Sequence, residues 1–171
     1  MRPFVRLPLY LGLTVFVVSV ILAGVTISDG SYRSRRQSRA NRDRATLSLL
    51  YTTPDFVSVA VSSPIAVAGV DVTVHFDNFA IDILPTSLIA GPAFTTTGGL
   101  VGEDGTFTFS ALTNGNQAVT NGIVATFQIV ARTKDVYTSL SFETMGDATS
   151  VFSKETQSQV PFTTQDLTVS F

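Results

Sequence analysis

The stretch AVAGVDVTVHFD, residues 66–77, restricts the fold more than any other part of the chain. Ala68, Val70, Val72, Val74 and Phe76 fall on one side of an extended backbone, and Gly69, Asp71, Thr73, His75 and Asp77 fall on the other. A period of two over this length predicts a β-strand with one face in a core and the other in water. The same pattern precedes it in DFVSVAVSS, with Val57, Val59 and Val61 opposite Ser58, Ala60 and Ser62. It returns in ATLSLLY, FAIDIL, TFTFSAL, GIVATFQIVAR, VYTSLSFE, TSVFS and DLTVSF, separated by the turn sequences GEDG, TNGN, TNG and MGD. No window of helical periodicity longer than about ten residues interrupts the series. The expectation for residues 45–171 is an all-β domain, a jelly-roll-like antiparallel β-sandwich of about eight or nine strands. Thirteen phenylalanines in the chain supply core volume.

The segment before it has a different chemistry. Leu7 to Ile27, LPLYLGLTVFVVSVILAGVTI, carries no charged side chain. At about 1.5 Å per residue, a helix of that length spans the roughly 30 Å hydrocarbon core of a bilayer. Residues 7–27 are therefore expected to form a single transmembrane helix behind a short flank, residues 1–6. Arg2 and Arg6 also suit the basic start of a secretory signal, but the apolar run is long for one and no A-x-A-like cleavage site follows. An uncleaved anchor to the cell membrane is the expectation.

Residues 28–44 hold Arg33, Arg35, Arg36, Arg39, Arg42 and Arg44 among Ser, Gln and Asn, a composition that predicts a disordered linker. Arg33, Arg35, Arg36 and Arg39 are placed to touch anionic headgroups at the membrane surface. By the positive-inside rule, six arginines after the helix retain the domain in the cytoplasm. The character of the domain as a surface module favours export, and an extracytoplasmic domain is the expectation.

Charge divides the chain at the same boundary. Up to Arg44, eight basic residues face two acidic ones; from Ala45 onward three basic residues, Arg132, Lys134 and Lys154, face eleven acidic ones. A domain this acidic is repelled by phosphate backbones, which excludes nucleic acid as its partner. The chain has no cysteine and one histidine, His75. Disulfides, thiolate metal sites and cysteine nucleophiles are excluded, as is any site built on two imidazoles. The serines are many, but the one histidine lies on a strand and no G-x-S-x-G elbow occurs, so an enzyme is not expected.

The order of these strands resembles the cohesin-like family, grouped with certain carbohydrate-binding modules among jelly-roll sandwiches. ATLSL is similar to the family's opening strand, and VSVAVSSPIAVAGVDVTVHFDNFAIDI to its next strands with a "(F/Y)D(P/N)" step. GTFTFSAL resembles a middle strand, GIVATFQIVA the "G-x-(L/V)-A-x-(F/I)-x-F-x-A" strand, and TSLSFE, SVFS and DLTVSF the closing strands. The glycine that often precedes the second strand is absent from YTTPDF, and Asn78 stands where proline is common. The resemblance implies the fold and a protein partner, with a dockerin-like module as one expectation.

For the site, the water-facing side of the clearest strand supplies Asp71, Thr73 and His75, and VYTSLS supplies Tyr137 and Ser139. Such a face can bind a protein through hydrogen bonds around a small apolar centre, or simply be solvated. A glycan-binding module is a second reading. It is weakened because the chain has no tryptophan, and only Tyr51 and Tyr137 lie in the domain to stack on sugar rings. A structural subunit of a pilus-like or surface-layer assembly is a third. No cofactor is expected, apart from calcium as a candidate ligand of Asp77, Glu103, Asp104 and Asp147. GEDG is equally an ordinary hairpin turn.

Overall fold

The computed structural model describes residues 44–53 and 55–171; the expected helix at 7–27 and all of the expected linker at 28–44 except Arg44 lie outside them. Among the described residues no helix is long and apolar enough to cross a membrane.

Among the described residues ten strands follow one another: β1 (Ala45–Thr53), β2 (Phe56–His75), β3 (Ile81–Ala90), β4 (Phe94–Val101), β5 (Thr106–Thr113), β6 (Val119–Ala131), β7 (Tyr137–Phe142), β8 (Ser150–Ser153), β9 (Phe162–Gln165) and β10 (Leu167–Ser170). The organising element is β2. Its first part, Phe56 to Ser62, pairs with β1 on one side and β6 on the other. Its second part, Gly69 to His75, pairs with β5 on one side and, in succession, with β8 and β7 on the other. Between them the register breaks at Ser63–Ala66, where Pro64 has no N–H to give a ladder and the Ser63 hydroxyl donates to the Ile65 carbonyl. One strand thus belongs to both layers. The first layer reads β3–β6–β2–β1–β9, and the second β4–β5–β2 with β8 and β7 along the far edge, β10 beyond β7.

Alternation puts the core between the layers. Val57, Val59 and Val61 from one half of β2 and Val70, Val72 and Val74 from the other are buried, with Leu47, Leu49, Phe107, Phe109, Phe127 and Ile129. Phe107 on β5 and Phe127 on β6 belong to different layers, and their rings meet at 4.9 Å between centroids. That contact makes the structure a sandwich rather than a single bent sheet.

The expected eight or nine antiparallel strands need three corrections. DFVSVAVSS and AVAGVDVTVHFD are one strand, because the Ser63–Ala66 break shifts register without ending extension. Phe94–Val101 is a further strand whose sequence, FTTTGGLV, lacks the alternating large apolar residues that would announce it. Phe162–Gln165 is an additional strand, β9, ahead of the expected DLTVSF run, which forms β10, and β9 pairs with β1 in parallel.

Candidate functional site

The outer face of the second layer is built from registers that align β4, β5, β2 and β8. In one row Thr95 stands opposite Leu112, Leu112 opposite Gly69, and Gly69 opposite Phe152. The next row runs Thr97, Ser110, Asp71, Ser150; the third runs Leu100, Thr108, Thr73. Leu112 is 61% exposed and Leu100 72%, while the inward neighbours Phe107, Phe109 and Ala111 are buried. Gly69 explains how Leu112 lies flat across the strand: a β-carbon there would come within 2.9 Å of Leu112 Cδ2. The result is a shallow apolar centre, Leu112 over Gly69 beside half-buried Phe152, bordered by hydroxyls.

The hydroxyl border is ordered. Ser110 donates to Asp71 Oδ1 at 2.6 Å. Thr73 Oγ1 donates to the Ala148 carbonyl at 2.9 Å and lies 3.3 Å from Thr108 Oγ1. Thr149 Oγ1 accepts from the Thr73 N–H and donates to the Thr73 carbonyl, each at 3.2 Å, so a side chain replaces the ladder where β7 gives way to β8. This connection folds over Thr73, which is only 8% exposed. The expectation that Thr73 faces water is therefore corrected: it points out of the sheet, but the segment from Glu143 to Thr149 covers it.

At the end of β2, His75 Nε2 lies 2.5 Å from Glu143 Oε2, and Glu143 Oε1 accepts from the Met145 N–H at 2.7 Å. The Met145 amide first, and the imidazole second, hold the Glu143 carboxyl below the ordinary glutamate value. The sign follows from linkage. A carboxyl with a depressed folded pKa stabilises the loop above its unfolded value and ceases to do so as pH falls through the folded one. The Met145 amide resonance should therefore titrate with a midpoint below that of a free glutamate and lose the transition in Glu143→Gln. A midpoint at or above the free value would contradict this arrangement.

Of the residues expected on a binding face, Asp71, Thr73 and His75 share this one. Tyr137 and Ser139 do not join them. β7 meets β2 only at Phe142 opposite Val74 and Ser141 opposite His75, so Ser141 is the neighbour of His75. Ser139 and Tyr137 continue beyond the end of β2, paired with Thr168 and Ser170 of β10. Glu143, Thr108, Ser110, Leu112, Leu100 and Phe152 were missed, because their place beside β2 is set by registers between distant segments.

The four calcium candidates are not gathered. Among the described residues no group of three or more His, Asp or Glu is placed to hold a metal ion. Asp77 Oδ1 accepts from the Phe79 N–H at 2.9 Å, forming an Asx turn. Asp104 Oδ1 accepts from Thr106 Oγ1 at 2.6 Å, a bond that holds its carboxyl below the ordinary value. Glu103 lies in the β4–β5 turn, tied to Asn78 through its carbonyl, and Asp147 lies in the segment after β7. GEDG is a hairpin turn, closed by Gly102 N–H to the Thr106 carbonyl at 2.8 Å, with Gly105 at φ 76°.

No family model matches the sequence, and no curated protein does. Solved structures do match. A non-cellulosomal cohesin from the hyperthermophilic archaeon Archaeoglobus fulgidus superposes with a TM-score of 0.56 at 12% identity, over 74% of this chain and 90% of that one. A type II cohesin domain from the cellulosome of Acetivibrio cellulolyticus gives 0.58 at 13% identity, over 74% and 95%. The fold is cohesin-like. A chain of a type I cohesin–dockerin complex from Clostridium thermocellum gives 0.57 at 10% identity, over 74% and 92%. The described part of this chain accounts for nearly the whole of each of these cohesin-like domains.

Proposed function

We propose that this chain is a non-enzymatic, membrane-anchored module that presents its cohesin-like sandwich outside the cytoplasm and binds another protein, of dockerin-like character, through the β4–β5–β2–β8 face. The observation that carries the reading is the composition of that face: an apolar centre at Leu112, Gly69 and Phe152 within rows of Thr and Ser hydroxyls. A protein interface of moderate size asks for that arrangement, a small dry core inside a polar rim. The cohesin-like fold supports it, since one of the similar structures is a complex with a dockerin. The apolar, uncharged run from Leu7 to Ile27 supports the anchor. No tyrosine or tryptophan lies in these rows, so the face offers sugar rings no flat platform of that kind.

The test uses intact cells expressing the full chain and a panel of fluorescent dockerin modules added to the medium. At least one module should be captured, external protease should abolish capture, and Leu112→Asp should weaken it about tenfold or more, as loss of a central contact does. Capture only after lysis would refute display outside the cytoplasm. Silence of the whole panel on lysed as well as intact cells would refute a dockerin-like partner.

A further inference from the structure

The opposite face, on the outside of β3–β6–β2–β1–β9, has no part in that reading. Its registers place Leu50 opposite Ser58, Ser58 opposite Thr126 and Thr126 opposite Ile89; a second row runs Phe56, Gln128, Leu84, with Val130 beside Asp82. Ile89 is 62% exposed, and Leu50, Leu84 and Val130 are exposed too. Two apolar strips, Leu50 with Phe56 and Ile89 with Leu84 and Val130, thus flank a polar stripe.

The stripe is already satisfied within the sheet. Ser58 Oγ lies 2.8 Å from Thr126 Oγ1 and 3.0 Å from Thr52 Oγ1, and Ser87 Oγ accepts from the Gln128 N–H at 2.7 Å. Ser58 is buried although it points outward. Polar groups paired in this way can lose water without being left unmatched, so drying the face costs little. On this face the strands carry one charged side chain, Asp82, which is paired with Arg132; Asp71 of β2 belongs to the other layer, and Asp55 stands off the rows, in the β1–β2 turn.

Charge decides the occupant. With eleven acidic residues against three basic ones from Ala45 onward, two copies of this domain repel each other wherever acidic surface meets acidic surface. This nearly neutral face is where like can approach like. Five strands about 4.8 Å apart span about 24 Å, and three to four outward side chains about 6.8 Å apart along the central ones give roughly 500–650 Å² per copy, close to the lower bound of a specific interface. We propose that this face is a homodimer interface, on which the same face of a second copy seats about a two-fold axis near the Ser58–Thr126 stripe. The partner-binding face of each copy is then left free and points outward, which makes the assembled unit bivalent.

The chain has no cysteine, so one introduced thiol reports one position. The full chain carrying Thr126→Cys, purified in mild detergent, is treated with a short bismaleimide; Thr108→Cys, on the other face, is the control. Thr126→Cys should give a covalent dimer and Thr108→Cys should not. Adding Leu50→Lys and Ile89→Lys should cut the cross-linked fraction about tenfold or more, since the apolar strips carry the contact. These lysines are exposed substitutions, and an unchanged melting curve verifies the fold. A folded Thr126→Cys protein that yields no dimer, equal yields from both faces, or cross-linking that survives the lysines would overturn the proposal. Capture of dockerin modules by the Leu50→Lys, Ile89→Lys protein should be retained, which separates this test from that of the other face.

Discussion

Replacing Gly91 with alanine is expected to destabilise the domain by about 3 kcal/mol or more, at the upper end of what overpacking does. Gly91 follows β3, donates its N–H to the Val124 carbonyl at 2.9 Å and accepts from the Phe94 N–H at 2.9 Å. It is buried just past the last β3–β6 pair, Ala90 opposite Ala125. A β-carbon there would lie 2.6 Å from the carbonyl carbon of Ile123 and closer still to its oxygen. No rotamer change relieves a clash with backbone, so the end of β3 must move off β6 and surrender the bond from Gly91 N–H to the Val124 carbonyl. Gly122→Ala is the comparison: its new β-carbon meets only Val119 Cγ1, at 3.9 Å, and the change should lie within about 1 kcal/mol of wild type. Chemical denaturation of both variants reads the difference. Equal midpoints would show that the approach of β3 to β6 is not as tight as described.

Phe107→Ala should cost about 3–5 kcal/mol and lower the melting temperature by roughly 10–15 °C. Phe107 is fully buried, 4.9 Å from the Phe127 ring and 5.7 Å from that of Phe109. It joins the two layers, so its removal opens a cavity that neither sheet can close without the other following. Leu112→Ala, on the same strand but on its exposed side, should change stability by less than about 1 kcal/mol. A small loss for Phe107→Ala would mean that the layers are held together elsewhere.

These expectations rest on residues that sequence alone identified unevenly. The two valine series of β2 were legible because alternation is a local signal: a residue at i and another at i+2 share a face whatever lies beside them. Phe94–Val101 was not legible, because threonines and a glycine pair form a strand only where a neighbour supplies the ladder. The parallel joining of β1 and β9 spans more than a hundred residues and leaves no local trace.

The site divides in the same way. Asp71, Thr73 and His75 were found by the period of their own strand. Leu112, Ser110 and Phe152 came beside them through registers that no single segment encodes, and the cover over Thr73 comes from residues 75 and 76 positions away. Tyr137 and Ser139 followed the right alternation on β7, but that strand overlaps β2 at two positions only. Two of the acidic residues proposed for calcium, Asp77 and Asp104, have local uses in turns, where a carboxylate that accepts a neighbouring N–H or O–H has the same sequence as one that awaits an ion.

The position of β1 has a mechanical consequence. β1 is gripped on both sides, antiparallel to β2 and parallel to β9, and the Ala45 N–H is bound to the Pro161 carbonyl where the strand begins. A pull that enters the domain along the axis of β1 at residue 45 acts across two ladders at once, in shear, and must break many hydrogen bonds together. Peeling from an edge would break them one by one. Tension between whatever holds the amino-terminal side and whatever grips the β4–β5–β2–β8 face then passes from β1 into β2, the one strand that reaches both layers. The sandwich is strung along that path like a bead on a stiff wire.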